Sequence, residues 1–374
     1  MTWHWLVIGL CGAWVAFAYA GYPLALWWLA RCSPRPVRAA DRFPPVSVVV
    51  AVRNGEALLR RKLEATLSLG YPGDVEVLVA SDGSTDGTDA IARSMADRGV
   101  VLVRSAERRG KEAAQAAAIQ KARGEILVFT DLAAELEPGA LRQIVRPFAD
   151  PSVGCVSSED VVDPAGEGTY VRLEMALRRL ETRAATLVGV SGSCFAVRRE
   201  LCSPWPADLA SDFRSALEAC RRGMRAVAEP GARACFGTAQ ENTAEWQRKV
   251  RTVRRGLAVL CAYRDLLHPR QGRVALSLWG HKVARYTSPF ALVAILVASA
   301  LAAPASELAA LLLATQLAVY AAGATGLWGG PAARWAPTRL AAFFLLVNAS
   351  IVVAWIHHLS GRRVVTWEPT QREA

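Results

Sequence analysis

The sequence lacks several patterns that would assign it to a common class of protein. Its eight cysteines include no C-x-x-C pair, so their spacing fits neither a zinc site nor a disulfide framework and suits a reducing cytosol. The net charge of +11 comes without a recognisable nucleic-acid motif, so no nucleic acid partner is expected. After the first strand-like run, residues 53–56 read RNGE, so the G-x-G-x-x-G fingerprint is absent, and so is a Walker loop. A nucleotide would therefore have to be held in some other way.

Charge is also missing from four long runs of the chain. The uncharged runs occupy residues 2–30, 286–306, 308–333 and 340–361. A membrane-spanning helix needs roughly 20 apolar residues, and each run is long enough, although buried core helices are the alternative interpretation. The first run lacks the basic start and the short apolar region of a cleaved signal peptide, so an uncleaved anchor is expected.

These runs predict the domain organisation. Residues 1–30 form an N-terminal transmembrane anchor, residues 286–361 form about three C-terminal transmembrane helices, and residues 362–374 form a tail. Residues 45–271 are charged and mixed in composition, and they are numerous enough to bury one large core. The sequence thus predicts a soluble domain tied to a membrane at both ends.

Arginines beside the spans predict the orientation. Four of them directly follow the anchor: Arg31, Arg35, Arg38 and Arg42. The positive-inside rule places that side in the cytoplasm, together with the loop that contains Arg334 and Arg339. The expected location is the inner membrane, multi-pass, with the soluble domain cytoplasmic. Three C-terminal spans would leave Arg362 and Arg363 outside, so either one run is re-entrant or interfacial, or the rule fails at the tail.

Strand-like and helix-like runs alternate in the first part of the soluble domain. The strand-like runs are PVSVVVAVRNGE, DVEVLVASDGS, VVLVRS and EILVFTD. The helix-like runs between them are EALLRRKLEATLSL, TDGTDAIARSMADRG, with Thr85 and Asp86 as capping candidates, and GKEAAQAAAIQKARG, which should end on Gly124. This alternation predicts an α/β fold with a mostly parallel sheet and helices on both faces. Ligands bind beyond the strand C-termini in such sheets, so Asp82 and Asp131 should line one crevice.

Six ordered motifs carry a resemblance to a known family. They are VSVVVAVRNGE, VLVASDGSTDGT, RGKEAAQAAAIQKARGEILVFTD, GVSGSCFAVRREL, SDF and EWQRKVRTVRRG. Over residues 46–257 the chain resembles family 2 glycosyltransferases of the membrane-anchored bacterial type. The resemblance implies a Rossmann-like GT-A fold and a hexosyltransferase-type enzyme. Such an enzyme moves a sugar from a nucleotide diphosphate sugar, expected to be a UDP-sugar, to a lipid-linked or polysaccharide acceptor in cell-envelope or exopolysaccharide synthesis.

The resemblance also implies a donor site. Ala51, Arg53 and Glu56 would lie beside the nucleoside, and Asp82 would hydrogen-bond the base. The alternative for Asp82 is a turn or cap residue. Lys111, at a predicted helix N-terminus, would contact the diphosphate, and the alternative is a solvated lysine.

A divalent metal, Mg²⁺ or Mn²⁺, is implied less completely. Asp131 matches the first acidic residue of the D-x-D element, whose two carboxylates hold a metal on the donor diphosphate in this family. Leu132 and Ala133 stand where a second Asp or Asn is expected, and Glu135 is a candidate replacement. A single carboxylate would bind the metal weakly unless donor phosphates supplied most of the ligands.

The implied catalytic residue is Asp212. It matches the Asp of the family's Glu-Asp pair, although Ser211 replaces the Glu. Its role would be general base, taking the proton from an acceptor hydroxyl while the configuration inverts. The alternative is that Asp212 or Ser211 caps the following helix. The nearby segment 189–201 would flank the acceptor, with Cys194 as a small buried apolar residue.

Residues 245–257 form a predicted basic amphipathic helix. Its apolar face consists of Trp246, Val250, Val253 and Leu257. The opposite face carries Arg248, Arg251 and Arg255, which suit a membrane surface, a diphosphate or both. Thr252 follows Arg251, so the Q-x-x-R-W motif of processive synthases is absent. Residues 281–290 resemble the family's junction into the membrane.

Two other functions stay open. A polyprenyl-phosphate sugar transferase would use a phosphate oxygen as the acceptor. A degenerate glycosyltransferase domain would serve as a non-catalytic binding or assembly subunit, as the incomplete D-x-D element and Ser211 also allow.

Overall fold

The computed structural model describes residues 3–162, 168–236, 242–329 and 335–361. The chain forms two compact units. Among the described residues, the sheet unit comprises those within Leu26–Gln240 and Val259–Ser277. The helical unit comprises Met1–Ala25, Glu241–Ala258 and Leu278–Arg362. Arg334, Arg362, Arg363 and the predicted tail, 362–374, fall outside the described residues.

Strands and helices alternate as the sequence predicts. The strands are β1 Val46–Val52, β2 Val75–Asp82, β3 Val100–Ser105, β4 Ile126–Asp131, β5 Glu135–Leu136, β6 Val153–Val162, β7 Cys194–Arg198 and β8 Arg225–Phe236. The helices are α1 Trp3–Ala16, α2 Tyr22–Cys32, α3 Glu56–Leu67, α4 Thr88–Arg93, α5 Lys111–Lys121, α6 Ala140–Val145, α7 Gly168–Ala184, α8 Ser211–Arg221, α9 Asn242–Ala262, α10 Arg273–Leu278, α11 Ala284–Ala302, α12 Glu307–Trp328 and α13 Ala336–Leu359.

One eight-stranded sheet, in the order β3-β2-β1-β4-β7-β6-β8-β5, organises the sheet unit. β1 runs parallel to β2 and β4, β2 to β3, and β6 to β8. β7 is antiparallel to both β4 and β6, and β5 is antiparallel to β8. The predicted mostly parallel α/β sheet is therefore confirmed.

Apolar side chains on β1 alternate between two cores, because successive residues of a strand point to opposite faces of its sheet. Val48 and Val50 pack on one face with residues of α3 and α6. Val49 and Ala51 belong to the core on the other face, which also contains alanines of α5 and α8. Helices thus cover both faces, and the small residues of α5 let that helix lie close to the strands.

The end of α5 differs from the prediction. The helix ends at Lys121, and its C-cap Ala122 has extended backbone, so Gly124 does not end it. Gly124 is instead needed for close approach, because a Cβ there would collide with the main chain of Ser47 in β1. Its N–H donates to Ser47 Oγ at 2.8 Å.

Four helices of the described chain are long and apolar enough to cross a membrane. They are Trp3–Cys32, Arg273–Ala305, Glu307–Trp328 and Ala336–Leu359. The second begins at Arg273, earlier than the predicted residue 286, so the predicted junction at 281–290 lies inside this helix. A π-helical turn, Trp279–Val283, interrupts it there.

The apolar face of α9 packs inside the helical unit. Val250, Val253 and Leu257 are buried, and they form a cluster with Ile351 and Ala354 of α13. This confirms the predicted amphipathic pattern. The arginines of the opposite face, Arg248, Arg251 and Arg255, are half-buried and engaged in interactions of their own.

Candidate active site

Two carboxylates meet at one edge of the sheet. Asp82 is the last residue of β2 and Asp131 the last residue of β4, and β1 lies between these two parallel strands. Ala51 near the end of β1 is in register with Asp131. The structure therefore brings the predicted donor residues Ala51, Asp82 and Asp131 to the same edge.

Residues 107–110, which we call the basic loop, cover Asp82. Asp82 is 1% exposed; its Oδ1 accepts the N–H of Arg109 at 2.7 Å, and its Oδ2 accepts that of Gly110 at 3.0 Å. The basic loop passes so close to Gly83 that a Cβ there would lie 3.0 Å from Arg108 N. Gly83 also has a φ of +60°, which favours glycine. Asp82 thus fixes the loop that leads into α5.

Lys111 joins the basic loop to Asp131. Its Nζ lies 2.5 Å from Asp131 Oδ1, and its side chain is 12% exposed, so it is not the solvated lysine of the alternative interpretation. Burial opposes the charge, but the negative charges of Asp131, Glu112 and Asp212 outweigh it, so the pKa of Lys111 is raised above its usual value. Lys111 is therefore a cation held among carboxylates at the strand tips.

Arg53 and Glu56 connect the turns that follow β1 and β2. The Arg53 guanidinium donates to the carbonyl oxygens of Asp82 and Gly83 at 3.1 and 3.3 Å. Glu56 Oε2 accepts the N–H of Gly87 at 2.9 Å. Two of the three predicted nucleoside residues, Arg53 and Glu56, therefore hold the backbone of the turns at the site edge in place.

Three further residues in these turns were missed by the sequence analysis. Asn54 has a φ of +48°, and its Oδ1 accepts the N–H of Thr85 at 2.9 Å. The N–H of Asn54 donates to Ser84 Oγ at 3.2 Å, and Thr88 Oγ1 accepts the N–H of Gly55 at 2.8 Å. Asn is enriched among the few non-glycine residues that adopt the left-handed region, so the Asn-Gly pair at the strand end was a usable signal.

Residues 190–193, which we call the glycine loop, lie between Asp131 and Asp212. The carbonyl oxygen of Ser193 accepts the Asp131 N–H at 3.0 Å. At the other end, the N–H of Val190 donates to the Asp212 carbonyl oxygen at 3.3 Å. A Cβ on Gly192 would lie 3.4 Å from Asp212 Oδ2, so the carboxylate faces this loop.

Asp212 lies in the first turn of α8. Ala210 occupies the N-cap position and makes no side-chain cap hydrogen bond, and Asp212 Oδ1 accepts the adjacent Phe213 N–H at 2.8 Å. Ser211, which replaces the family's Glu, is buried. The negative charge of Asp212 also contributes, after Asp131 and Glu112, to the raised pKa of Lys111.

A buried lysine supports the loop after β4. Lys62 is 5% exposed, and its Nζ donates to Thr130 Oγ1 at 2.9 Å and to the Ala134 carbonyl at 2.5 Å. Burial lowers the pKa of Lys62 to about 8. The sequence analysis missed it because a lysine in an amphipathic helix pattern normally faces solvent.

The residues near Asp131 fit a divalent metal poorly. The side chain of Leu132 fills the space next to Gly55, and the side chain of Ala133 has no ligand atom. Glu135 lies in β5, and its carboxylate pairs with Arg61 at 2.5 Å. No group of three or more His, Cys, Asp or Glu side chains in the described part of the chain could hold a metal ion.

The remaining predicted residues lie elsewhere. Cys194 in β7 is buried, which raises the pKa of its thiol to about 12 and suits the predicted apolar role. Arg248, Arg251 and Arg255 belong to α9 in the helical unit, so their contact with a diphosphate stays a prediction.

Comparison with known proteins identifies the class that the sheet and its edge define. Residues 47–204 match the family model described as Glycosyl transferase family 2. The mannosyltransferase PcManGT from Pyrobaculum calidifontis, solved with GDP-Man and Mn²⁺, is 28% identical with a TM-score of 0.74, over 96% of this chain and 100% of that one. This likeness extends over the helical unit and confirms the GT-A fold.

Curated relatives match only part of the chain. A beta-monoglucosyldiacylglycerol synthase from Synechocystis sp. is 29% identical over 44% of this chain and 38% of its own length. The succinoglycan biosynthesis protein ExoO from Rhizobium meliloti is 32% identical over 38% of this chain and 41% of its own length. The chain thus spans less than half the length of these relatives, whose names belong to glycolipid and exopolysaccharide synthesis.

Proposed function

We propose that this chain transfers a sugar from a nucleotide diphosphate sugar to a hydroxyl group of a lipid-linked or glycan acceptor, with inversion at the anomeric carbon. The acceptor oxygen attacks the anomeric carbon, and the bond from that carbon to the phosphate oxygen breaks. The nucleoside diphosphate leaves with the electron pair, and the acceptor proton passes to the Asp212 carboxylate.

One observation supports this proposal above all. The basic loop links Asp82 to Asp131 through Lys111, and the glycine loop links Asp131 to Asp212. The nucleotide base, the diphosphate and the attacking hydroxyl of the acceptor must be contacted in that order, from the nucleoside end of the donor to its anomeric carbon. Asp82 would position the nucleoside, with Arg53 and Glu56 holding its turn, and Lys111 would meet the diphosphate, since a lysine has three N–H donors for phosphate oxygens.

The membrane placement belongs to the same proposal. Four candidate spans and the arginines that follow the first favour a multi-pass protein of the inner membrane with a cytoplasmic sheet unit. The relatives named for a diacylglycerol product and for succinoglycan support a lipid or glycan acceptor. The expected UDP-sugar has a competitor, because the solved relative holds GDP-Man.

The test combines donor turnover and nucleotide binding. Purified full-length chain is incubated in detergent or lipid with UDP- and GDP-sugars and candidate acceptors, and released nucleotide is measured. Asp212→Asn should lower turnover by roughly 100- to 10,000-fold, as expected for a lost general base, while nucleotide affinity stays within about twofold. Asp208→Asn, an exposed carboxylate nearby, is the matched control and should retain full turnover.

A phosphate acceptor is a second candidate, favoured by the charge of α9. Within eight residues this helix carries Arg248, Lys249, Arg251, Arg254 and Arg255. A phosphate oxygen needs no general base, so full turnover in Asp212→Asn with a polyprenyl phosphate would support that acceptor and contradict hydroxyl attack. Nucleotide binding without turnover of any donor would instead support a non-catalytic subunit.

A further inference from the structure

The positive charge nearest to Asp131 is the ammonium group of Lys111. Lys111 Nζ lies 2.5 Å from Asp131 Oδ1, where a metal-dependent enzyme of this fold would place a cation between strand tip and diphosphate. An ammonium has three N–H donors. One can stay on Asp131 while the others reach phosphate oxygens, so donor binding does not require this ion pair to break.

The side chains beside Asp131 offer no second carboxylate. Ala133 stands where the D-x-D element would supply one, and Leu132 is committed to packing beside Gly55. Mg²⁺ and Mn²⁺ prefer several oxygen ligands. A single carboxylate that already accepts a lysine hydrogen bond is a weak site for either ion.

The loop after Asp131 is also held against rearrangement. Lys62 Nζ bonds Thr130 Oγ1 on one side of Asp131 and the Ala134 carbonyl on the other, at 2.9 and 2.5 Å. Glu135 follows in β5, where its main chain pairs with β8. Bringing Glu135 to the metal position would break a buried lysine contact and a strand pairing together.

We propose that this chain binds its nucleotide diphosphate donor without a divalent metal ion, and that Lys111 supplies the charge that the metal supplies in metal-dependent relatives. The inference rests on the proposed nucleotide-sugar function. Arg108 and Arg109 add positive charge in the adjacent basic loop. Ala133 is then the position that separates this chain from a metal-dependent enzyme.

Calorimetry of UDP and GDP binding to the purified full-length chain tests this, in EDTA and in Mn²⁺. Wild-type affinity should agree within about twofold between the two conditions. Lys111→Met should weaken binding in EDTA by roughly 10- to 100-fold, since a hydrogen bond to a charged group contributes about 1.5–3 kcal/mol. Lys121→Met, at the exposed far end of α5, is the matched control and should bind like wild type.

Ala133→Asp restores the second carboxylate and should bind nucleotide more tightly in Mn²⁺ than in EDTA, by about tenfold or more. Thermal unfolding of each variant verifies that it is folded. Wild-type binding that is lost in EDTA and restored by Mn²⁺ would overturn metal independence while leaving the donor proposal intact. Binding of neither nucleotide in either condition would overturn both proposals.

Discussion

Gly83 gives the sharpest test of how the edge of the sheet is built. It has a φ of +60°, and a Cβ there would lie 3.0 Å from Arg108 N and from the carbonyl carbon of Glu107. Both neighbours are backbone atoms of the basic loop, so no side-chain rotation relieves the contact. Gly83→Ala must therefore displace the loop whose next residues donate to Asp82.

The free-energy cost of Gly83→Ala has two parts. An alanine in the left-handed region costs about 1 kcal/mol, and overpacking against backbone costs about 1–3 kcal/mol more. Gly99 supplies the matched control, because its φ is +86° and a Cβ added there would have nothing within 4 Å. Gly99→Ala should therefore show only the cost of an alanine in the left-handed region, without the cost of overpacking.

Nucleotide binding, measured by calorimetry, and thermal unfolding distinguish the two variants. We expect Gly83→Ala to weaken UDP or GDP binding by about 5- to 150-fold, which corresponds to the steric part alone. Gly99→Ala should leave affinity unchanged and lower the unfolding midpoint slightly. Unchanged affinity in Gly83→Ala, or an equal loss in Gly99→Ala, would refute the assignment of the basic loop to the donor site.

Two more predictions concern stability. Because the folded-state pKa of Lys62 is about 8 against 10.5 for an ordinary lysine, the unfolded chain binds more protons between these values. Wild type should therefore gain up to about 3 kcal/mol relative to Lys62→Met as pH rises through that window, measured as the difference in unfolding midpoints. Gly280→Ala should destabilise the helical unit by about 1–3 kcal/mol, since its Cβ would collide with the buried Tyr22 ring. Gly9→Ala, with open space around it, should not.

A specific measurement would contradict each of these two stability predictions. Cys155 and Cys202, buried thiols that Lys62 does not influence, contribute the opposite pH slope in both proteins and cancel in the comparison of wild type with Lys62→Met. Cys194 does not cancel, because the Lys62 charge lowers its pKa, so the comparison is made below pH 10, where this buried thiol stays protonated. A difference that stays flat from pH 8 to pH 10 would show that the Lys62 ammonium is not desolvated. Equal unfolding midpoints for Gly280→Ala and Gly9→Ala would show that Tyr22 does not pack on Gly280.

The edge carboxylates were predictable because their positions follow from chain direction. Parallel strands place their C-terminal ends at the same edge, so Asp82 and Asp131 at the ends of apolar runs had to lie near one another. The apolar face of α9 was predictable for a similar reason, since a period near 3.6 residues marks one side of a helix. A periodicity of this kind can be recognised without knowing which element the helix packs against.

Partners that are distant in the sequence could not be predicted in this way. Nothing around Lys62 indicates that Thr130 and the Ala134 carbonyl would receive its ammonium group. The N–H groups of Arg109 and Gly110 carry no sequence signal, yet they define the environment of Asp82. Gly124 follows a helix-like run, and for that reason it was predicted to end the helix. Its close approach to Ser47 depends on the position of β1, which the local sequence does not reveal.

The kind of contact determines which positions around the site are replaceable. Asp82 holds the basic loop through the main-chain N–H groups of Arg109 and Gly110, so this contact does not depend on the Arg109 side chain. Lys111 differs, because its side chain itself connects the loop to Asp131. A change at Lys111 therefore alters both the local charge and the link between the strand tips. A change at Arg109 should alter charge while the hydrogen bonds to Asp82 persist, so comparing the two variants separates donor electrostatics from site architecture.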